Sequence, residues 1–179
     1  MKQIILSCVA ALMSVGVWAA DTLTVRQLFI EMPDTVVPYL TRNNRLDFID
    51  FMDSNMKAEV TNLLGGKSRM TALTADSLSL QLNESCRMDL LLLRVQHSSD
   101  GLLQKPNDLP ADTLQHVLCL VRTLKGDAGM EESSVVFYTT AWHRLDEKPA
   151  LMSTDERRLK NRIRELDYVK EASKRLNKQ

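Results

Sequence analysis

Three aspartates recur at intervals of three in Asn44-Arg45-Leu46-Asp47-Phe48-Ile49-Asp50-Phe51-Met52-Asp53. That spacing suits a row of cation ligands or a pair of carboxylates for acid/base work. On a helix advancing about 100° per residue, however, Phe48, Ile49, Phe51, Met52 and Met56 gather on one side, and Asp50 and Asp53 fall opposite them. The row is therefore the wet side of an amphipathic helix. Asn44 caps it in this reading, and Asp47 sits in the first turn near the positive end of the dipole. Other chemistry is equally incomplete. Gly65-Gly66-Lys67-Ser68 ends like a phosphate-binding loop, but Thr61 stands where the motif needs its first glycine and no strand precedes it. His97, His116 and His143 show no metal-ligand spacing, so neither a metal nor any other cofactor is expected. Glu131-Glu132 reads as a solvated loop pair, and no nucleophile motif is present.

Cys86 and Cys119 lie in apolar, strand-like runs. An oxidising compartment permits a disulfide between them, and a buried small hydrophobe is the other reading for each. Such a compartment is expected because the chain opens with Met1-Lys2, an apolar run from Ile4 to about Val17, and Val17-Trp18-Ala19 before Asp21. This is the layout of a secretory signal peptide spanning 1–19, with cleavage after Ala19. Its apolar run is shorter than the roughly 20 residues that cross a bilayer, and no later run approaches that length. The expectation is a periplasmic or otherwise exported protein with no transmembrane segment in the mature chain. Lys+Arg and Asp+Glu both number 23, and loss of Lys2 leaves 22 against 23. A balance near zero gives no electrostatic reason to expect nucleic acid.

The elements that must position any site come from periodicity. A short helix is expected from about Thr24 to Met32, closed by Pro33, followed by the aspartate helix. Glu59, Val60, Leu63 and Leu64 read as a continuation of that helix, stopped by Gly65-Gly66. From Lys67 the texture changes. Leu78, Leu80 and Leu82 alternate as in a half-buried strand, and "CRMDLLLLRVQ" and "LQHVLCLVRTL" are continuous apolar runs typical of central strands. "SSVVFYTTAWHRL" is β-branched and aromatic. Short links at Asn83-Glu84-Ser85 and "KGDAGMEES" favour antiparallel neighbours. The Leu73–Leu78 segment echoes Leu109–Leu114, which ordinary turn chemistry before a strand explains. Ser153 or Thr154 is expected to cap a last helix carrying Leu159, Ile163 and Leu166 on one face. Residues 167–172 read equally as helix or edge strand. The fold class is α+β in a single domain over 20–179, with N-terminal helices, an antiparallel sheet of at least four strands from about Ser68 to Leu145, and a C-terminal helix.

The run "VPYLTRNNRLDFIDFMDSNMKAEVTNLLGGKSRMTALTADSLSLQLNES", together with the export signal and "STDERRLKNRIREL", resembles an uncharacterised family of secreted proteins of Bacteroidales, a domain of unknown function. The resemblance implies export across an inner membrane and a compact α+β domain, and it carries no active-site residues. Arg42, Asn43, Asn44 and Arg45 are the first candidates for partner contact, since loop-to-helix junctions bring backbone donors and side chains together. Leu102-Leu103, in the long polar linker "HSSDGLLQKPNDLPADT", is a second candidate that either tucks under the sheet or meets a partner. The preferred function is a non-catalytic binding or interaction module of the cell envelope, with an envelope protein or glycan as partner. The alternative is a hydrolase-like enzyme assembled from Asp89, His97, His116 and His143.

Overall fold

The computed structural model describes residues 23–96, 115–126 and 131–163. Their centre is one seven-stranded antiparallel sheet in which every strand pairs with its neighbours in sequence: β1 (Glu59–Thr61), β2 (Lys67–Leu73), β3 (Ser77–Asn83), β4 (Cys86–Arg94), β5 (His116–Lys125), β6 (Glu131–Thr139) and β7 (Arg144–Leu145). The molecule is mostly β, with helices packed on the sheet. Helices α1 (Val25–Ile30) and α2 (Arg42–Asp53) lie before the sheet, and α3 (153–163) follows it.

Alternation along the strands divides the core into two layers. On one face Leu78, Leu80, Leu82, Met88, Leu90, Leu92, Leu118 and Leu120 pack with Val25, Phe29, Phe48 and Ile49 of the first two helices. On the other face Leu91, Leu93, Val117, Cys119, Val121 and Phe137 pack under Leu151 and Leu159. The apolar runs of β4 and β5 are continuous because these two strands are buried on both faces. They sit in the middle of the strand order.

Several local expectations are corrected. Thr41, not Asn44, is the N-cap of α2; Asn44 is the third residue of a capping box, its Oδ1 accepting from Thr41 N at 3.1 Å while its own N donates to Thr41 Oγ1 at 3.1 Å. The helix does not continue through Val60. It ends at Asp53, Asn55 turns left-handed (φ 53°), and Glu59–Thr61 pairs with Lys67–Arg69 as an edge strand, so the sheet begins earlier than Ser68. The strand expected at Leu78, Leu80 and Leu82 is β3, and it forms a hairpin with β2 that the alternation did not show, with Thr74–Asp76 between the strands. Thr74 Oγ1 accepts from Ser77 N at 2.9 Å there. "SSVVFYTTAWHRL" likewise folds back at a turn where Trp142 has φ 63°, and its indole Nε1 donates to Leu28 O at 3.0 Å. At α3 the first helical bond is accepted by Met152 O from Glu156 N (2.8 Å), so Ser153 and Thr154 lie inside the first turn and neither is the cap.

Candidate functional site

Of the junction residues expected to meet a partner, two serve the fold. Asn44 Nδ2 donates to Thr61 O at 3.3 Å, tying α2 to β1. Arg45 is 2% exposed and its Nη1 donates to Asp34 Oδ1 and to Leu40 O, both at 2.8 Å, which fastens the loop before α2. Arg42 and Asn43 remain on the exposed first turn. Of the helix aspartates, Asp53 accepts two bonds from Arg26 (2.5 and 2.7 Å), and this guanidinium holds its carboxyl below the ordinary range.

Asp89, the carboxylate expected in the alternative site, is fully buried and occupied. Its Oδ1 accepts from Ser79 Oγ at 2.5 Å, Arg162 Nη2 at 2.6 Å and Arg87 Nη2 at 3.1 Å, and Arg87 Nε stands 3.0 Å from Oδ2. This cluster pins α3 to the sheet. His116 lies next to Val117, on the opposite face of the sheet from Asp89, and opposite Arg94, five residues further along β4. Five strand residues span about 17 Å. His143 is exposed in the β6–β7 turn. Asp89, His116 and His143 thus form no constellation, and His97 lies outside the described residues. Among the described residues no group of three His, Cys, Asp or Glu could hold a metal ion.

Of the two readings for the cysteines, the structure takes the buried small hydrophobe. Cys86 opposes Leu124 whereas Cys119 opposes Leu91, so the cysteines are five rungs apart; Cys86 faces the α1–α2 layer and Cys119 the α3 layer. Both are free and buried. Burial pushes the Cys119 thiol up to about 12, which makes it inert as a nucleophile.

What the sequence reading missed is the β1–β2 turn, Asn62–Gly66. Its side chains read as the apolar end of a helix, so the exposure of the leucines was invisible. The buried Asn62 organises the turn from beneath. Its Oδ1 accepts from Leu64 N (3.0 Å) and Gly66 N (3.1 Å), while its Nδ2 donates to Ser68 Oγ (3.0 Å) and Leu82 O (3.3 Å). Gly65 supplies the left-handed residue (φ 77°), and Leu63 N donates to Tyr39 O at 3.0 Å. The result is an ordered turn that holds Leu63 and Leu64 in solvent, 66% and 73% exposed. Tyr39 continues this end of the sheet, its hydroxyl 3.9 Å from Cys86 Sγ; burial first, and then the Cys86 neighbour, push the phenol up to about 12. Leu124, opposite Cys86 on β5, is 53% exposed. Arg122 Nη2 donates to Val36 O beneath these residues. Exposed leucines on an ordered turn can bury surface against a partner. The second sequence candidate, Leu102-Leu103, lies outside the described residues.

Comparison with known proteins adds a family and little else. No curated protein matches. Among solved structures, a domain of an uncharacterised protein from Porphyromonas gingivalis W83 is similar over 69% of this chain and 57% of that one, at 20% identity and a TM-score of 0.49. The match therefore spans somewhat over half the length of that solved domain. Residues 18–176 match a family model described as a protein of unknown function, DUF3256, and the chain belongs to that family.

Proposed function

We propose that this chain is an exported, non-catalytic interaction module of the cell envelope that docks a partner protein through the Leu63–Leu64 turn. One observation carries the reading: two neighbouring leucines stand in solvent on a turn whose backbone is fixed by a buried asparagine. Each leucine moved from water into an interface gains about 1.5 to 3 kcal/mol. A turn already held in shape loses little conformational entropy when it binds. Aliphatic side chains of this kind match an apolar protein surface better than a glycan, the other partner class expected. The buried polar side chains Arg45, Asn62, Ser79, Asp89 and Asp155 are all committed to contacts within the fold, which supports a binding role over catalysis.

Export rests on residues 1–19, which lie outside the described residues, and on their signal-peptide layout. Among the described residues no helix is long and apolar enough to cross a membrane. The test is capture from native envelopes with tagged full chain, wild type beside Leu63→Ser/Leu64→Ser. A discrete protein retained by the wild type and lost by a variant of unchanged melting temperature supports docking. Identical captured sets remove it. N-terminal sequencing of the recovered protein should begin near Ala20, and recovery of only the intact chain from the cytoplasm overturns the export half.

A further inference from the structure

The sheet has one long open edge. β7 pairs with β6 only at Phe137 and Tyr138, so the outer side of Glu131–Val136 meets no strand among the described residues. Backbone direction along this edge follows from two bonds. Thr139 N donates outward to His143 O (2.8 Å), and Lys125 N, opposite Glu131, donates away from β6 to Ser85 O (2.8 Å). N–H and C=O alternate sides along an antiparallel strand, and β5–β6 runs without a register shift, so Glu131, Ser133 and Val135 each aim one N–H and one C=O away from β5, where no strand stands among the described residues. Glu131–Val136 holds no proline, no lysine and no bulge, and its charges, Glu131 and Glu132, lie at one end only.

We propose that this edge takes a second copy of the same chain, β6 against β6, antiparallel about a two-fold axis at Ser133. The argument for self-pairing is complementarity. A two-fold perpendicular to the sheet pairs residues that share a face, and centring it on Ser133 sets Ser133 against its own copy, Glu131 against Val135 and Glu132 against Ser134. All three outward residues then meet as hydrogen-bonded pairs, and no glutamate faces a glutamate. The smallest side chains of the edge lie at the axis. A five-residue strand pair buries less than about 1,200 Å², so the dimer is weak and depends on concentration. Since β1 and β2 lie at the other side of the sheet, the dimer displays two leucine turns at its far ends. This inference stands on the sheet edge and is independent of whether those turns dock a partner.

Sedimentation velocity of the full mature chain over roughly a hundredfold concentration range tests it, together with oxidative trapping of Ser133→Cys. Paired residues at the axis have Cα atoms about 5.5 Å apart, within disulfide reach. The expected results are a sedimentation coefficient that rises with concentration and an intermolecular disulfide from Ser133→Cys but not from Ser134→Cys, which lies on the other face. Ser133→Pro removes an outward N–H and the hydroxyl contact with Thr123 Oγ1 (3.1 Å) but leaves the β5–β6 backbone ladder whole, so it should abolish the dimer with unchanged circular dichroism. If that variant fails to fold, Ser133→Lys sets like charges across the axis and should abolish it equally. A wild type that stays monomeric without a Ser133→Cys crosslink overturns the proposal. So does a dimer that survives Ser133→Lys.

Discussion

Asn62 joins fold and proposed function in one side chain. It is buried, it makes four hydrogen bonds, and two of them fix the backbone that carries Leu64 and Gly66. Asn62→Ala leaves buried groups unpaired and should cost about 1–3 kcal/mol in chemical denaturation, with faster amide exchange confined to the turn. Asp155 offers a second test. Burial opposes its charge, but Arg94 donates from both its backbone N (2.8 Å) and its Nε (3.0 Å), and the net effect holds the carboxyl below the ordinary range. A depressed folded value means that the stabilisation is fully present above the unfolded value, about pH 4, and is lost as pH falls through the folded one. Melting temperature should therefore decline below about pH 4, and Asp155→Asn should be less stable at neutral pH with a shallower acid decline. Equal acid sensitivity of the two proteins would contradict this assignment. In the sequence Asp155 reads as a first-turn helix acid; its partner lies 61 residues away, which no local pattern reveals.

Elements were legible where periodicity and burial agree. β4 and β5 announce themselves by unbroken apolar runs because both faces are covered, and the aspartates of α2 mark its solvent side. β1 was not legible. Three residues are too few to show alternation, and Leu63 and Leu64 imitate the next turn of a helix. The cap of α2 was displaced by three residues because Asn44 and Thr41 are both good capping residues and only the fold chooses between them. Thr41→Ala should cost about 0.5–2 kcal/mol, whereas Asn43→Ala, on the exposed first turn, should lie within about 0.5 kcal/mol. For α3, Arg162 is the tether to the buried Asp89. Arg162→Ala should raise amide exchange mainly in the last turn of 153–163, since Arg94–Asp155 and Arg158–Asp76 still hold the start of the helix to the sheet.

At the scale of the molecule the sheet is a meander in which each strand pairs with its sequence neighbour, an order that the short polar links already favoured. Which face each strand turns to which helix layer was not readable, because the two layers draw on residues far apart in sequence. For the same reason the dispersed Asp and His residues looked like a possible site, although the sheet separates Asp89 from His116. Exposure now sorts the leucines into two kinds. Leu90→Ala opens a fully buried core and should cost about 2–5 kcal/mol, whereas Leu64→Ser should shift stability by no more than about 0.5 kcal/mol. A leucine that contributes nothing to folding is available for a partner. The most direct test places a photo-crosslinking side chain at position 64 of the full chain in its native host, with position 47, exposed on α2, as control. The account predicts one discrete protein adduct from 64 and none from 47; no adduct from 64, or the same adducts from both positions, would contradict it.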